Sequence, residues 1–600
     1  MKFDSAVVKA WVAGVLAGIY EPEPDEEIWE WAERTLRIPA TENEEQANQY
    51  WSASYSPYVK ELFEWFKKPG KAEFWIQKSS QVGFTMACLI LICWMVVHRQ
   101  GNMIYAIDSE KQAREVSKTR LQKWIKNNKL LEEVGEDPDD ITNLTYFLKG
   151  LTVYMVGSHA AGSWATKSCV LVILDEVDKQ PYIEGEGWTT DLARDRVKRP
   201  KNAKIIGFST PGESGQIGKE VGKGTCEEIR VPFPCCGHKQ ALKWGNMVFG
   251  TAEFLDLAGD YDLEKVRENT YFKCEFCADG RLSPADKFDA LQKYEFVATN
   301  PKPTPNVRSL KIWDAYSMFL DWGDIAVKWI TAQGDPTKLQ KVMQGERGEY
   351  FTFSTGDISR NHLLDLCGAY KRGECPIVPL FISLQVDLQK GCYKAVKTAF
   401  NERGDMYVID WDTLVSWEEV VEFADMPVPC SDGQDRVVLS GLVDEGNGDG
   451  DTIPVREFCL AHYPRFFPVK GRGRTQINTT IALSEGWLAG ELVETYHIND
   501  FDFKMQLRHR ILKSKANETK LGIRKLIFPM DVDEDEKFLE EFTSEKLITK
   551  KNKLGREFKE WEVKGQNDFW DCCKYGLAIY MIKVGFQHSA GKDEDENTAA

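Results

Sequence analysis

Short apolar segments alternate with helical patterns between residues 46 and 215, and this alternation limits the folds open to the chain more than any other feature. The segments read AEFWIQ, NMIYAID, LTVYMVG, CVLVILD and AKIIGFS. Strands that alternate with helices along a chain are typical of a parallel sheet covered by helices on both faces. We therefore expect an α/β fold, with such a sheet in the first half.

The 600 residues are enough for several domains. The predicted parts, in chain order, are an N-terminal helical segment at 1–45, a first α/β domain at 46–370 with a Cys-rich insertion at 226–285 and a helical lid at 305–365, a second α/β domain at 375–585, and a polar acidic tail at 586–600. The tail is expected to be disordered because its composition cannot form a core.

The charge balance is acidic, with a formal net charge of -17 at pH 7. Proteins that coat DNA passively are usually basic, so this balance excludes simple coating but not an enzyme that works through carboxylate-held metals and local basic patches. The longest apolar run, residues 87–97, is too short to cross a bilayer. With no secretion signal visible, we expect a cytoplasmic protein with no membrane contact and reduced or metal-bound cysteines.

The stretch KSSQVGFT follows the first apolar strand and precedes an apolar helix. A phosphate-binding loop normally ends in Gly-Lys-Ser/Thr, but Phe84 stands at the lysine position. Lys78, at the front of the loop, can supply the ammonium group instead, and Thr85 offers a hydroxyl to Mg²⁺. The predicted nucleotide-binding residues are Lys78, Ser79, Ser80, Gln81, Val82, Gly83, Phe84 and Thr85. A strand, turn and helix without a ligand is the alternative.

The strand CVLVILD ends in Asp175 and is followed by Glu176. An acid pair at a strand tip is typical of ATPases, where the first holds Mg²⁺ through water and the second polarises the attacking water. The next strand ends near Thr210, a candidate sensor of the γ-phosphate. Arg196, in the helix between them, is a candidate arginine finger. A solvent-facing acidic strand end and a solvated basic helix are the alternatives.

The second α/β domain carries acids at separate strand tips and on a late helix. Asp387 lies in LFISLQVDLQ, Asp444 ends RVVLSGLVD, and Asp568 and Asp571 begin a C-terminal helix, sharing one face. Carboxylates that converge from two strands and a helix are typical of ribonuclease H-like nucleases, which hold two metal ions. We expect Mg²⁺ or Mn²⁺ there, although 93 acidic residues make a chance pattern easy.

Two further clusters carry charge or metal-ligand chemistry. Cys236, Cys274 and Cys277, with Cys235 or His238 as the fourth ligand, predict a structural Zn²⁺ site, the alternative being reduced cysteines in a loop. Lys470, Arg472 and Arg474 in PVKGRGRTQ predict a patch that contacts a phosphate backbone, or a plain surface loop.

Taken in order, these motifs resemble the large terminase subunit of tailed bacteriophages, in its lambda-like GpA family. The resemblance covers about residues 25–585 and rests on SPYVKELFEWF, KSSQVGFT, LVILDEVDK, GFSTPGE, the paired cysteine motifs, VMQGERGE, LQVDLQ, VKGRG and NDFWDCCKYGLAIY. Two departures are that Phe233-Pro234-Cys235-Cys236 replaces the usual Cys-Pro-x-Cys, and that Asn567-Asp568 replaces Asn-Glu.

The resemblance implies a P-loop (ASCE-type) ATPase domain joined to a ribonuclease H-like nuclease domain. It implies ATP-driven packaging of double-stranded DNA into a procapsid and cutting of concatemeric genomes in the host cytoplasm. It also implies a small terminase subunit, contacted by the N-terminal segment, the portal protein, and a homo-oligomeric ring during packaging. By the same motifs, Lys78 serves the loop, Asp175 and Glu176 serve ATP hydrolysis, and Asp387, Asp444 and Asp571 hold the nuclease metals.

Two other functions fit parts of the pattern. A helicase–nuclease of repair or restriction would need helicase motifs after the third ATPase strand, and none is convincing. A non-catalytic DNA-binding scaffold is favoured by Phe84 and opposed by the acid pair and the nuclease acids.

Overall fold

Each half of the chain builds its own apolar core. The computed structural model describes residues 26–98, 101–134, 141–148, 150–159, 161–164, 167–256, 260–353, 356–445, 452–474, 476–477, 479–518, 522–551 and 557–596. One pair of buried clusters draws on residues 28–330 and a second pair on residues 358–582. The predicted N-terminal segment is described only from residue 26 onward.

The first half combines a large sheet with short helices. Its helices are α1 (Ile28–Thr35), α2 (Lys60–Lys67), α3 (Phe84–His98), α4 (Glu110–Val116), α5 (Gln122–Asn127), α6 (Leu130–Val134), α7 (Ala161–Trp164), α8 (Thr189–Arg196), α9 (Gln216–Lys223), α10 (Leu263–Asn269), α11 (Lys287–Leu291), α12 (Trp322–Ala332) and α13 (Pro336–Lys341). Its strands are β1 (Ala72–Lys78), β2 (Gly101–Ile107), β3 (Thr145–Phe147), β4 (Leu151–Gly157), β5 (Leu171–Asp175), β6 (Tyr182–Ile183), β7 (Gly187–Trp188), β8 (Lys204–Ser209), β9 (Glu227–Pro232), β10 (Lys239–Ala241), β11 (Met247–Val248), β12 (Tyr271–Lys273), β13 (Arg281–Leu282), β14 (Glu295–Ala298) and β15 (Val307–Ile312).

The predicted apolar segments are strands β1, β2, β4, β5 and β8, and all run parallel within one 10-stranded sheet, as predicted. The parallel order is β4–β2–β5–β8–β1–β15. The central residues of these strands are mostly apolar and buried, as expected where helices cover both faces of a sheet. Helix α3 is apolar on every side and nearly all of it is buried. Ligands of such sheets bind beyond the carboxyl ends of the strands.

The structure departs from two of the predicted segments. The helical lid expected at 305–365 begins with β15, which pairs with β1 inside the sheet. The Cys-rich insertion expected at 226–285 contributes β9 and β10 to the same sheet, and only β11, β12 and β13 form a small sheet of their own. In β9 and β15 charged residues interrupt the apolar ones, so neither strand reads as a continuous apolar run of the kind that identified the other strands.

The second half has an 8-stranded mixed sheet. Its helices are α14 (Arg360–Leu364), α15 (Trp417–Asp425), α16 (Ile453–Ala461), α17 (Asp500–Lys513), α18 (Glu536–Glu541) and α19 (Asp568–Glu596). Its strands are β16 (Phe381–Gln389), β17 (Cys392–Phe400), β18 (Met406–Leu414), β19 (Val428–Pro429), β20 (Asp435–Arg436), β21 (Ser440–Asp444), β22 (Phe466–Arg472), β23 (Ile481–Leu488), β24 (Glu491–Asn499), β25 (Leu526–Ile527), β26 (Glu545–Lys551) and β27 (Glu557–Val563).

The order of this sheet is β23–β24–β22–β21–β16–β17–β18–β25. Strands β16, β17 and β18 form an antiparallel meander, β21 joins β16 in parallel, and α19 packs across β16 and β17. The structure continues α19 to Glu596, which differs from the disordered tail expected at 586–600, and residues 597–600 lie outside the described residues. No helix in the described part of the chain is long and apolar enough to cross a membrane.

Candidate active sites and a cysteine cluster

The loop between β1 and α3 has the backbone of a phosphate-binding turn. Gly83 takes φ +78°, and a Cβ there would lie 2.9 Å from Ser56 Oγ, so only glycine fits. Phe84 begins α3, whose 15 residues aim their amino-terminal dipole at the loop. The phenyl ring is buried beside Tyr58, with 6.0 Å between the ring centroids. Phe84 therefore contributes its backbone to the loop, and its side chain belongs to the core.

Lys78, the first residue of the loop, lies beside Glu176, the second residue of the acid pair. Its side chain is only 5% exposed and its Nζ is 4.0 Å from Glu176 Oε1. A second ammonium group, that of Lys179, is 3.3 Å from Glu176 Oε2, and the Thr210 hydroxyl donates to the same oxygen over 3.1 Å. The structure thus gathers a lysine of the loop, the second acid of the pair and the predicted sensor threonine.

The acid pair sits where β5 ends. Asp175 is buried and accepts a 2.5 Å hydrogen bond from the Tyr105 hydroxyl. Burial, with the nearby charge of Glu176, raises the pKa of Asp175 to about 6. Glu176 takes a left-handed backbone (φ 56°), a strained conformation for this residue type and typical of functional sites.

The remaining loop residues are tied to elements that the sequence patterns did not point to. Ser79 Oγ donates to Asp314 Oδ1 over 2.5 Å, and the Gln81 amide donates to the same oxygen over 3.3 Å. The Ser80 amide donates to the Gly345 carbonyl over 2.8 Å. Burial raises the pKa of Asp314 to about 7. Asp314 lies two residues beyond the end of β15, and an acid near a strand end is the signal that could have identified it.

Arg196 lies away from the acid pair of its own chain, and its role as an arginine finger stays a prediction. Its Nη1 donates to the Trp164 carbonyl over 3.0 Å, and its own carbonyl accepts from the Cys169 amide. Cys169 precedes β5, so Arg196 lies at the amino end of a strand whose carboxyl end carries Asp175. Asp175 follows Cys169 by six residues, about 20 Å of extended chain.

In the second half, two acids leave neighbouring strands at one level. Val386 of β16 is paired in parallel register with Val443 of β21, so Asp387 and Asp444 follow at adjacent positions. Asp387 is only 5% exposed. Burial, and then the charge of Asp444, raise its pKa well above the usual range. This geometry brings together the two strand acids that the sequence singled out.

The helix acids face the same place from α19. Asp568 accepts a 2.9 Å hydrogen bond from Gln389 Nε2, at the end of β16. Lys574, three residues after Asp571, places its Nζ 3.0 Å from Asp571 Oδ1. Lys504 of α17 lies 3.5 Å from the same oxygen. The two lysines were missed by sequence reasoning, although the spacing from Asp571 to Lys574 is one of facing residues on a helix.

These acids fit divalent cations by their chemistry. All four offer carboxylate oxygens, the ligands that Mg²⁺ prefers. Asp571 Oδ1 is buried and, among the described residues, lacks a hydrogen-bond donor in good geometry. The carboxylates are nevertheless not drawn together: among the residues described, only the cysteine cluster has three or more ligand atoms that all lie within 4.8 Å of one another. Lysine ammonium groups lie among the carboxylates instead.

The cysteine cluster is compact. The Sγ atoms of Cys235, Cys236, Cys274 and Cys277 all lie within 4.8 Å of one another. Two of the separations, from Cys236 to Cys235 and to Cys274, are 3.8 Å. Four thiolates at about 2.3 Å from a tetrahedral zinc ion lie about 3.8 Å apart, so the geometry fits Zn²⁺.

His238, one of the two candidates for the fourth ligand, is not in the cluster. Its ring stacks on Phe276 with 4.6 Å between centroids. Of the two candidates, the structure places Cys235, and not His238, with the other three cysteines. The tight turn through Gly237 (φ +73°) points the histidine away from the sulfur atoms.

The predicted basic patch lies on β22 and just beyond it. Arg472 Nε donates to His497 Nδ1 over 3.0 Å, and the Arg474 guanidinium lies 3.5 Å above the centroid of the Phe501 ring. Two of the three cations thus have partners within the protein, and their contact with DNA stays a prediction.

A phosphate-binding loop facing an acid pair, followed in the same chain by a ribonuclease H-like arrangement of acids, defines proteins that couple a nucleotide-driven domain to a nuclease domain. The family models for phage terminase large subunit gpA match the chain at residues 46–291 (ATPase domain) and 307–588 (endonuclease domain). The chain belongs to the phage terminase large subunit gpA family.

Individual relatives are distant. The chain is 24% identical over 429 residues to the terminase large subunit of Enterobacteria phage P21, covering 66% of this chain and 65% of that protein. It is 23% identical over 378 residues to the large subunit of Escherichia phage lambda, covering 58% of this chain and 56% of that protein. The matches thus span less than two thirds of either relative. The crystal structure of the HK97 bacteriophage large terminase matches with a TM-score of 0.31 and 12% identity, over 93% of this chain and 100% of that chain.

Proposed function

We propose that this chain hydrolyses ATP to drive double-stranded DNA into a phage procapsid and cuts concatemeric genomes with its second domain. The observation that carries the proposal is the meeting of Lys78, Glu176 and Thr210 at one edge of the first sheet, in a chain whose second sheet carries Asp387 and Asp444 at adjacent strand positions. Family membership supports the pairing of the two activities.

In the first domain the protein binds ATP and orients its phosphates and the attacking water. The turn at Gly83 and the amino end of α3 receive the phosphates, and Lys78 neutralises the outer ones. Mg²⁺, when bound, stabilises the charge on the transferred phosphoryl group, with Asp175 and the Thr85 hydroxyl as its ligands. Glu176 orients the attacking water, and Thr210, which shares a hydrogen bond with it, senses whether the γ-phosphate is present.

In the second domain Asp387, Asp444, Asp571 and Asp568 would hold Mg²⁺ or Mn²⁺. Two such ions would supply positive charge to the attacking and leaving oxygens of a phosphodiester. The carboxylates set the positions of the ions, and burial of Asp387 keeps bulk water from one side. Lys470, Arg472 and Arg474 contact the phosphate backbone of the DNA.

The four cysteines hold a structural Zn²⁺ that joins the turn at 235–237 to the turn after β12. No open coordination position remains when four thiolates bind, which is the pattern of structural zinc.

The packaging partners follow from the same proposal. They are a small terminase subunit, met by the N-terminal segment at 1–45, the portal protein of the procapsid, and further copies of this chain in a ring, all in the host cytoplasm. Domains are proposed at 46–370 and 375–585.

Two assays on the purified full chain test the proposal. DNA-stimulated ATP hydrolysis and cleavage of a plasmid with Mg²⁺ or Mn²⁺ are both expected. Asp387→Asn should stop cleavage and leave ATP hydrolysis unchanged, with Asp412→Asn, an exposed acid on β18, as the matched control. A chain that binds DNA but does neither reaction would instead be a scaffold. ATP-driven strand separation would indicate a helicase–nuclease.

A further inference from the structure

A buried lysine lies beside the nuclease acids. Lys574 is on α19, and its side chain is only 2% exposed. Its Nζ is 2.6 Å from Asp500 Oδ1 and 3.0 Å from Asp571 Oδ1. A buried ammonium group is costly unless carboxylates partner it, so this lysine depends on both acids. It joins Asp571, a predicted metal ligand, to Asp500, which has no such assignment.

A second lysine balances the other side of Asp571. Lys504 lies 2.5 Å from Glu545 Oε1 and 3.5 Å from Asp571 Oδ1. Its Nζ is 3.6 Å from Asp500 Oδ2. Glu545 is almost completely buried. Outside the metal-ligand set, Lys574 is thus paired with Asp500, and Lys504 with Glu545 and, at longer range, Asp500, while both lysines share Asp571.

The formal charges of this network match two divalent cations. The four predicted metal ligands carry four negative charges, and Asp500 and Glu545 carry two more. The two lysines offset two of the six, so four remain. Two Mg²⁺ or Mn²⁺ ions neutralise those four, whereas the chain without Lys574 would leave five.

We propose that Lys574, held in place by Asp500, is a fixed counter-ion of the nuclease acids and sets how tightly they bind divalent cations. Lys574 and Asp500 are positioning residues: they act on the metals through Asp571. The inference rests on the proposed nuclease function, because it assigns the metals to these acids.

If Lys574 is such a counter-ion, removal of its charge and removal of the Asp500 charge should change the affinity for divalent cations in opposite directions. Without the Lys574 charge, Asp571 keeps only the more distant Lys504 and the site becomes more negative, so divalent cations bind more tightly. Without the Asp500 charge, Lys574 pairs with Asp571 alone and competes with the metal, so they bind more weakly. One charge at this range changes affinity by about tenfold after solvent screening. Removing both charges restores the balance.

The test is Mn²⁺ binding to the full chain without DNA, measured by electron paramagnetic resonance and calorimetry. We expect Lys574→Gln to bind about tenfold more tightly than wild type, Asp500→Asn about tenfold more weakly, and the double variant within about threefold of wild type. Arg436→Gln, which breaks an exposed ion pair with Asp432 in the same domain, is the matched control and should change nothing. The tight component should vanish in Asp387→Asn.

Thermal melts and circular dichroism identify a variant that fails to fold. If one of the single variants fails, the double variant remains usable, because it leaves no unpaired buried charge. A Lys574 role that is only structural would weaken Mn²⁺ binding in both single variants or leave it unchanged, and either result overturns the proposal. The same holds if wild type has no tight Mn²⁺ component. Absence of DNA cleavage with the binding pattern intact would reject the nuclease function while keeping the counter-ion role.

Discussion

The hydroxyl of Tyr350 donates a 3.0 Å hydrogen bond to Asp178 Oδ2 and accepts one from the Gly218 amide over 2.8 Å. Asp178 follows the acid pair by two residues, and Tyr350 belongs to the segment that leads into the second half. Next along this segment, Phe353 is buried against Phe501 and Met505 of α17. Residues 350–353 therefore contact both the turn that follows the acid pair and α17, the helix that begins at Asp500.

Tyr350→Phe is expected to lower the free energy of unfolding of the first domain by about 1–3 kcal/mol, because it leaves the buried Asp178 oxygen and the Gly218 amide without this partner. Urea denaturation followed by tryptophan fluorescence measures the change. Tyr182→Phe removes an exposed hydroxyl and should stay within about 0.5 kcal/mol of wild type. If Tyr350→Phe is as stable as Tyr182→Phe, the hydrogen bonds of the Tyr350 hydroxyl do not stabilise the domain.

Lys78→Ala is expected to reduce ATP turnover by at least about a hundredfold, since no other loop side chain supplies a cation to the outer phosphates. The comparison that matters is Lys179→Ala, because Lys179 also lies beside Glu176 but is more than half exposed. We expect that variant to keep most of its turnover. The reverse result, with Lys179 essential and Lys78 dispensable, would assign the missing lysine of the loop to the segment after β5.

Nucleotide binding that depends on Mg²⁺ is expected to weaken as the pH falls from 7 to 5. The pKa of Asp175, raised by burial to about 6, lies above its unfolded value of about 4. Protonation is therefore favoured in the fold: this group costs stability above pH 6 and the cost disappears as the pH falls toward 4, while its use as a Mg²⁺ ligand is lost. Titration of a fluorescent ATP analogue at each pH gives the curve. Asp175→Asn should flatten it, and an unchanged curve would separate Asp175 from the metal.

The parallel strands of the first sheet and the positions of the loop and acids could be predicted because each is a local pattern: an apolar run, a glycine turn, an acid at a strand end. The order of the strands in the sheet could not, because pairing joins segments that are distant in sequence. Partners distant in sequence could not. Asp500 and Lys574 are 74 residues apart, and nothing in either neighbourhood indicates that their charges meet. Arg196 lies beside Trp164 and Cys169, away from Asp175, because proximity in sequence does not tell at which edge of the sheet a helix ends. Cys235 lies in the cysteine cluster and His238 does not. The positive φ of Gly237, between these two residues, cannot be read from composition.

One equivalent of zinc per chain is expected when the purified protein is weighed by native mass spectrometry. Cys277→Ser should lose the ion and His238→Ala should keep it, because four sulfur atoms converge and the imidazole stacks on Phe276 instead. Loss of a structural zinc removes folding free energy, so the serine variant should also melt at a lower temperature while the alanine variant melts like wild type. Zinc retained by Cys277→Ser, or lost from His238→Ala, would place the histidine among the ligands and contradict the cluster that the structure describes.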